Sequence, residues 1–337
     1  MRFNYIITIH NKDDLIEKVL LSVLVCCRAD SHIYAVLDGC TDRTEEVIDG
    51  ICQYYDRVPL TKVYTDDVHE ILAINAGLNA ADQTGDGFNI IVQDDVILAD
   101  CEIETKIEAI YEQASQKIGM LSFRHGLNLE LDHHGRSVRE VDVVESCYGH
   151  GVSDGPSVMP GPLVERMVAV RSPECIPCAT VRKVGVMEQR LAPYTYDNHE
   201  YSLRCLQHGL RNYVFSVRIF SKVEWGGMRR RRDPQVAAIM ERNRRFIYEQ
   251  YGDFVAGLRR ENFRGLGTVV PSVVTNFSES ELLRDFQWNR RVLNAYTTGG
   301  LAHRWKGMAL SVLRSGRLRM QRTLRAVGGD RWLRFLG

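Results

Sequence analysis

The sequence predicts an α/β fold in which a mostly parallel sheet is flanked by helices. Strand-type and helix-type segments alternate through residues 1–125, and repeated βα units of this length form parallel, doubly wound sheets. The apolar run at residues 88–92 predicts a buried parallel strand, with polar residues after it at the sheet edge where open α/β folds bind ligands. With 337 residues, 45% of them hydrophobic, the chain can bury the core of one large domain or two.

The first two βα units carry clear local signals. Residues 5–9 and 32–37 are apolar runs rich in β-branched and aromatic side chains, which favour strands. Residues 13–26 repeat apolar side chains at helical spacing and predict an amphipathic helix. Thr41 suits a helix N-cap, and the acidic residues after it suit the first turn of a helix.

Three further strands and two helices complete the N-terminal half. Residues 63–64 predict a short strand, and residues 69–81 predict the helix after it. Strands over residues 88–93 and 119–124 enclose a helix around residues 103–116. The alternation continues throughout, and each parallel crossover requires a connection of this kind.

The pattern changes in the second half of the chain. Residues 126–165 are dominated by Gly, Ser, Asp, His and Pro and have no periodicity, which predicts a long functional or mobile loop. Farther along, we expect a helix over residues 197–208, a strand over 213–219 and a helix over 235–251. Residues 256–300 predict a mixture of helix and loop.

The C-terminal segment differs in charge from the rest of the chain. The chain has 43 basic and 43 acidic residues, but residues 301–337 contain nine basic residues and one acid, Asp330. Residues 304–327 place apolar side chains on one helical stripe with arginines opposite. Such a helix suits an anionic membrane surface or the acidic body of the chain itself. The acidic body argues against binding to nucleic acid.

Cysteine content and hydropathy predict a cytoplasmic protein. The nine cysteines are irregularly spaced, and most lie in apolar surroundings, as reduced core thiols do. Apolar runs stay shorter than the roughly 18–20 residues of a transmembrane helix, and the first residues are too polar for a signal peptide. Peripheral attachment to the inner face of the membrane through residues 301–337 is a further expectation.

Two adjacent carboxylates, Asp94 and Asp95, follow Gln93 at the end of the predicted strand. Unpaired carboxylates at a sheet edge repel each other, and a divalent cation removes this repulsion. Mg²⁺ and Mn²⁺ take oxygen ligands and bridge protein carboxylates to phosphates. The alternative is a helix N-cap, because the apolar residues 96–98 follow and Asp caps helices well.

Seven segments carry short motifs in a fixed order. They are residues 7–12 (Ile-Thr-Ile-His-Asn-Lys), 36–44, 73–81, 93–95 (Gln-Asp-Asp), 184–188, 197–204, and 242–246 with 251–253. On matching predicted elements, they resemble the motifs of the family 2 glycosyltransferases, which are inverting enzymes with the GT-A fold. The resemblance covers roughly residues 3–253 and implies a nucleotide-diphosphate-sugar donor.

The resemblance implies a nucleotide site and a metal site. The implied nucleotide-binding residues are Thr8, His10, Asn11, Asp38, Asn75 and Asp94. Asp38 would accept the uracil N–H, so a UDP-sugar is the expected donor. Asp95 and Glu224 would hold Mn²⁺ or Mg²⁺ as a Lewis acid on the leaving nucleoside diphosphate. Turn formation is the alternative role of His10 and Asp38.

The resemblance places the catalytic base in residues 197–200. Inversion is a single in-line displacement, so the base must face the anomeric carbon from the acceptor side. The position of the family's second acid holds Asn198, which cannot take a proton. Asp197 and Glu200 are one helical turn apart and share a face. We expect Asp197 to be the base, with Glu200 second, and helix capping is the alternative.

The expected activity is metal-assisted, inverting transfer of a hexosyl or related group from a UDP-sugar to a glycan or lipid-linked acceptor, in surface polysaccharide or glycoconjugate synthesis. Asn198 keeps an alternative open, namely a catalytically inactive nucleotide-sugar-binding protein on the same fold. A nucleotidyltransferase would need a Gly-rich phosphate loop after the first strand, whereas residues 10–14 contain no glycine and two acids.

On this interpretation residues 1–255 form the GT-A domain, with a nucleotide-binding half over residues 1–125 and an acceptor half over 126–255. Residues 256–337 form a mostly helical extension that is basic and amphipathic from about residue 301. This extension suits a dimer arm as well as a membrane contact, so a homo-oligomer is a further expectation.

Overall fold

The structure is a computed structural model of the chain. It describes residues 1–114, 117–131, 138–146, 157–158, 163–170, 172–221, 225–226, 234–260 and 269–270. These residues belong to one compact unit, Met1–Gln287. The basic segment over residues 301–337 lies outside the described residues, and the predicted domain division at residue 255 stays a prediction.

Strands and helices alternate through the N-terminal half. In chain order they are β1 Arg2–Ile9, α1 Ile16–Cys26, β2 His32–Asp38, α2 Thr44–Cys52, β3 Leu60–Thr65, α3 His69–Ala80, β4 Gly87–Gln93, β5 Ile97–Leu98, α4 Ile103–Gln113 and β6 Ile118–Ser122. Every strand and helix predicted in this half is present, with ends displaced by a few residues. The predicted alternation of strands and helices is therefore confirmed.

Within the residues that the structure describes, the second half mixes short strands with three helices. In chain order its elements are β7 His125–Leu131, β8 Val138–Ser146, β9 Ser157–Val158, β10 Leu163–Arg166, β11 Val168–Val170, β12 Glu174–Pro177, α5 Cys178–Val184, a 3₁₀ turn Gln189–Leu191, α6 Asp197–Gln207, β13 Arg211–Phe215, β14 Ile219–Phe220, α7 Pro234–Arg260 and β15 Val269–Val270. The predicted helices over 197–208 and 235–251 correspond to α6 and α7.

Nine strands form the main sheet, in the order β15-β10-β13-β6-β12-β4-β1-β2-β3. Strands β4, β1, β2 and β3 pair in parallel, as do β6 and β13, whereas β12 and β10 run antiparallel to their neighbours. The predicted α/β fold with a mostly parallel sheet is confirmed. Thr8 of β1 lies between Val36 of β2 and Gln93 of β4, so these three strands end side by side.

Helices cover both faces of this sheet because the strand side chains alternate between two apolar clusters. Tyr5, Ile7 and Ile9 of β1 pack with buried residues of α1, α2 and α4. Ile6, on the opposite face, packs with buried residues of α3, α5 and α6. Both faces of β1 are therefore buried, which explains why its sequence is a continuous apolar run.

The long loop predicted over residues 126–165 is wrong for the described part of that segment. Strands β7, β8 and β9 join β11 in a second sheet of order β11-β7-β8-β9. Leu127 and Leu129 alternate with polar residues on β7, and they pack with Ile247 and Val255 of α7. A half-buried antiparallel sheet needs only two or three apolar residues per strand, and that signal is weak in a polar segment.

Two smaller predictions also change. The strand predicted over residues 213–219 is divided into β13 and β14, and β14 pairs with β5. Residues 97–98 form β5 and no helix begins there, so helix capping by Asp94 or Asp95 is wrong. None of the described helices is long and apolar enough to cross a membrane.

Candidate active site

The carboxyl ends of β1, β2 and β4 open into a cavity of about 530 Å³. The N-terminal ends of α3 and α6 contribute to its lining. Among the residues predicted from the sequence, the cavity brings together Thr8, His10, Asp38, Asp94, Asp95 and Asp197. These residues come from four separate segments, so the fold, and not proximity in the sequence, assembles them.

Asp38 is the last residue of β2, and three donors hold its carboxylate. Oδ1 accepts hydrogen bonds from Thr65 Oγ1 and from the Val68 amide, both at 2.7 Å. Oδ2 accepts one from the His69 amide at 2.8 Å. Each carboxylate oxygen can accept two hydrogen bonds, so Oδ2 retains capacity for one further donor.

His10 follows β1, and its ring is fixed against the backbone of β2. Nδ1 lies 2.6 Å from the carbonyl oxygen of Asp38, which can only accept, so Nδ1 donates the hydrogen of this bond. Asp67 Oδ1 lies 3.6 Å from Nδ1. In the described part of the chain, His10, Asp38 and Asp67 are the one group of three whose metal-ligating atoms lie within 4.8 Å of one another.

The carboxylate pair follows β4 and faces Lys12. Asp94 Oδ2 accepts a hydrogen bond from the His10 amide at 3.0 Å, and Lys12 Nζ lies 3.6 Å from Oδ1. Burial raises the pKa of Asp94 to about 6, although Lys12 and the His10 amide act in the opposite direction. Asp95 is buried and also lines the cavity. The two acids thus lie beside the turn that follows β1.

Asn11 and Asn75 lie outside the cavity lining and hold loops in place. Asn11 Oδ1 accepts hydrogen bonds from the Thr41 amide at 2.7 Å and the Asp42 amide at 3.3 Å, which ties together the turns after β1 and β2. Asn75 is buried on α3 and exchanges two hydrogen bonds with the backbone of Met187, at 2.8 and 2.9 Å. The side-chain amides of both residues are therefore hydrogen-bonded to the backbone of the protein.

Asp197 is the first residue of α6, and it is 8% exposed. Burial raises its pKa, the backbone N–H groups of Asp197 and Asn198 and nearby His199 lower it, and Glu200 raises it. A carboxylate at a helix N-terminus is stabilised by the helix dipole. The raised pKa shows that burial outweighs that stabilisation, which makes Asp197 a better proton acceptor than an ordinary aspartate.

Asn198 donates from Nδ2 to Glu174 Oε2 at 2.8 Å. Glu174 is on β12, is 2% exposed and lines the cavity. Burial raises the pKa of Glu174 well above its usual range, and the nearby carboxylates of Asp197 and Glu70 raise it further. The neutral amide at position 198 therefore lies next to a buried carboxyl that favours its protonated form.

Glu200 is buried away from the cavity lining and is held from both sides. Its Oε1 accepts a hydrogen bond from the Tyr251 hydroxyl at 2.5 Å, and its Oε2 accepts one from Arg204 Nη2 at 2.9 Å. Arg204 also donates to the carbonyl oxygens of Val184 and Val186, each at 2.8 Å. Glu200 thus links α6 to α7 and to the segment that follows α5.

Sequence reasoning missed three acids of the cavity, Glu70, Glu140 and Glu174. Glu70 is in the first turn of α3 and accepts a hydrogen bond from Gln93 Nε2. Burial raises its pKa to about 8, and Asp197 contributes. Glu174 begins the strand Glu174–Pro177, where a buried charge requires a functional or structural partner, but this signal can be used only once that strand is known. Glu70 resembles an ordinary acid in the first turn of a helix and gives no such signal.

Backbone strain surrounds the cavity. The non-glycine residues with positive φ in the described part of the chain are Asn11, Asp67, His69, Thr195 and Tyr196. His69, Thr195 and Tyr196 line the cavity, and Asn11 and Asp67 contact His10. Such conformations cost about 1–3 kcal/mol each and concentrate at functional sites.

The predicted metal ligand Glu224 lies outside the described residues.

Comparison with known proteins finds similarity of backbone structure only. No protein-family model matches the chain, and no curated protein matches its sequence. Solved structures of S. aureus TarS do match. TarS 1-349 gives a TM-score of 0.47 at 14% identity over 66% of this chain and 61% of that chain. Its complexes with UDP and UDP-GlcNAc give TM-scores of 0.45 at 16% and 15% identity, each over 64% of this chain and over 58% and 56% of theirs.

Proposed function

We propose that this chain is a metal-assisted, inverting glycosyltransferase that uses a UDP-sugar. Its acceptor would be a glycan or a lipid-linked glycan, in surface polysaccharide or glycoconjugate synthesis. One observation supports the proposal above the others. The strand-end residues His10, Asp38, Asp94 and Asp95 share a single cavity with Asp197, the acid expected to act as base. A donor sugar held by the first group would lie within the cavity that Asp197 lines.

The nucleoside would bind at the ends of β1 and β2. Asp38 is oriented by three hydrogen bonds, and its Oδ2 can accept one more, as the N3–H of uracil requires. A preorganised acceptor side chain loses little conformational entropy when a ligand binds. His10 is likewise fixed by its hydrogen bond to the Asp38 carbonyl, so this part of the cavity is built before the donor arrives.

The diphosphate requires a cation, because the cavity is acidic. In the part of the chain that the structure describes, Lys12 is the one Lys or Arg of the lining, whereas the strand ends contribute the acids Asp38, Asp94 and Asp95. Carboxylates are the hard oxygen ligands that Mg²⁺ and Mn²⁺ prefer, so the donor set fits such an ion. Asp95 would hold it, with Asp94 beside the ribose or donor sugar. When bound, the ion stabilises negative charge on the leaving nucleoside diphosphate.

Asp197 would take the proton of the acceptor hydroxyl while that oxygen attacks the anomeric carbon. The glycosidic bond to the diphosphate breaks on the opposite side, so the configuration inverts. Asp197 lines the cavity and Glu200 does not, and Glu200 is engaged by Tyr251 and Arg204. This difference favours Asp197 as the base.

The second candidate function is that of a catalytically inactive nucleotide-sugar-binding protein. The observation in its favour is Asn198, which replaces an acid and is already hydrogen-bonded to Glu174. Both candidates predict donor binding, but only the enzyme predicts turnover. Only the enzyme also predicts loss of function when the Asp197 carboxylate is removed.

Titration of UDP into the purified protein, with and without Mn²⁺, tests the donor site. We expect Mn²⁺-dependent binding that Asp95→Ala abolishes and that Asp86→Ala, at an exposed acid in the turn before β4, leaves unchanged. Binding that is indifferent to Mn²⁺ and to Asp95→Ala would contradict the metal site. Failure of UDP to bind under either condition would contradict a uridine donor. Turnover with UDP-sugars then separates the enzyme from the inactive binder.

A further inference from the structure

A buried asparagine of α7 holds the turn that leads into α6. Asn243 is fully buried, and its Nδ2 lies 2.8 Å from the Leu191 carbonyl oxygen, 2.9 Å from that of Thr195 and 3.0 Å from that of Tyr194. An amide nitrogen carries two hydrogens, so these three acceptors share them. One side chain thus binds both ends of the turn over residues 191–195.

Arg242 extends this contact along the same turn. Its Nη2 donates to the Ala192 carbonyl at 2.5 Å and approaches the Leu191 carbonyl at 3.4 Å. Its Nε donates to Asn243 Oδ1 at 2.9 Å, which fixes the orientation of the asparagine amide. We name Arg242 and Asn243 together the α7 clamp.

The clamped turn is strained where it meets the candidate base. Thr195 has φ of 77° and Tyr196 has φ of 64°, in the left-handed region that non-glycine residues avoid. The Tyr196 carbonyl accepts the hydrogen bond of the Glu200 amide at 2.9 Å, so Tyr196 also sets the first turn of α6. Asp197 follows directly. The direction of its side chain therefore depends on two unfavourable backbone conformations.

We propose that Asn243 is the positioning residue for Asp197. It offsets the strain at Thr195 and Tyr196 and thereby keeps the Asp197 carboxylate directed into the cavity. This inference rests on the proposed function only in treating Asp197 as the base. The geometric part, that the α7 clamp maintains the first turn of α6, stands independently of any activity.

The first test compares two buried asparagines. Asn243→Ala removes the donor from the turn, whereas Asn212→Ala removes a buried donor to the carbonyls of Met167 and Ser202, away from that turn. For Asn243→Ala we expect kcat to fall about tenfold or more, since small displacements of catalytic groups are costly, with KM for the donor and UDP affinity within about twofold. Asn212→Ala is expected to lower the melting temperature without this split between kcat and KM.

The second test relieves the strain instead of restoring the clamp. Glycine adopts positive φ readily, so Thr195→Gly should recover part of the lost kcat when it is combined with Asn243→Ala. The effect of Thr195→Gly alone on kcat is measured in the wild-type background, and the kcat of the double variant is corrected by that factor. Recovery in the double variant supports the strain argument. Purely additive effects on kcat would overturn it.

Hydrogen exchange separates failure of this inference from failure of the proposed function. Amides 197–200 should exchange faster in Asn243→Ala than in Asn212→Ala, whether or not any sugar is transferred. Faster exchange there without turnover in the wild type would support the clamp and contradict the proposed enzyme. Unchanged exchange would overturn the clamp. If Asn243→Ala does not fold, Arg242→Ala, at an exposed position, must show the same pattern to a smaller extent.

Discussion

Two walls of the cavity bury acidic side chains in different ways. On the β1–β2 wall, formed by His10 and Asp38, three hydrogen bonds of 2.7–2.8 Å fix the Asp38 carboxylate. On the β12–α6 wall, formed by Glu174, Asp197 and Asn198, burial raises the pKa of both acids, and Asn198 bonds to Glu174. The first arrangement suits binding of a fixed polar group, and the second suits proton transfer.

Asp197→Asn should have the largest effect, and it acts on the β12–α6 wall alone. Loss of a general base lowers kcat by about 10²–10⁴ fold, whereas UDP affinity depends on the opposite wall and should stay within about twofold. Steady-state kinetics and UDP titration measure the two quantities. The raised pKa of Asp197 also predicts that kcat of the wild type falls on acidification at a higher pH than for an ordinary aspartate.

Glu200→Gln is the matched comparison for this variant. Glu200 is one helical turn away, and it is bonded to Tyr251 and Arg204. We therefore expect loss of stability instead of loss of kcat in the folded protein. Equal turnover in Asp197→Asn and in the wild type would favour the inactive binder or a different base. A larger loss of kcat in Glu200→Gln would assign the base to Glu200.

Asp38→Ala should act on the β1–β2 wall, with an intermediate effect. It leaves the Val68 and His69 amides without their acceptor, and because both hydrogen bonds are only partly buried, each loss costs less than the roughly 1–3 kcal/mol of a fully buried unsatisfied group. UDP affinity should fall by about tenfold or more as the uracil acceptor is lost. Denaturant unfolding and UDP titration measure these changes, and Asp86→Ala is the control. Unchanged UDP affinity would limit Asp38 to a structural role in the turn.

Much of the β1–β2 wall could be predicted from the sequence, because parallel strands place their carboxyl ends together. Residues 5–9, 32–37 and 88–93 are predicted as strands of one parallel sheet, so His10, Asp38 and Asp94 are expected at the same edge of it. The same reasoning cannot identify which side chains turn inward. Asn11 and Asn75 belong to the same motifs, yet their amides serve the backbone at Thr41 and Met187.

The β12–α6 wall could be predicted only in part, because it depends on non-local pairing. Strand β12 has four residues, and it enters the sheet antiparallel between β4 and β6. No local periodicity reveals such an insertion, so Glu174 was missed although its partner Asn198 was identified. The sequence likewise shows no sign of the positive φ values at Thr195 and Tyr196, which occur in the turn that Asn243 of α7 contacts.

Glu174→Gln should have the smallest effect. It tests whether the β12–α6 wall keeps Glu174 protonated in the folded protein, in contrast to the hydrogen-bonded carboxylate of the β1–β2 wall. Because the folded-state pKa of Glu174 is raised, the folded protein keeps a proton that the unfolded chain releases. The wild type therefore loses stability as pH rises above the ordinary value of about 4.3 for glutamate, until the folded-state pKa is passed. Glutamine cannot ionise and still accepts the hydrogen bond from Asn198. The variant should gain about 3 °C or more in melting temperature relative to the wild type at pH 8, and little at pH 5.

Glu108→Gln should change the melting temperature in the opposite direction in the same measurement. Arg28 lowers the pKa of Glu108 through hydrogen bonds at 2.8 and 2.9 Å, so its stabilisation is present at neutral pH and is lost as pH falls through the lowered pKa. Glu108→Gln should therefore destabilise the protein at pH 8 and lose that effect in acid. If both variants shifted the melting temperature in the same direction at pH 8, Glu174 would be ionised at that pH. The β12–α6 wall would then hold a paired carboxylate and not a proton.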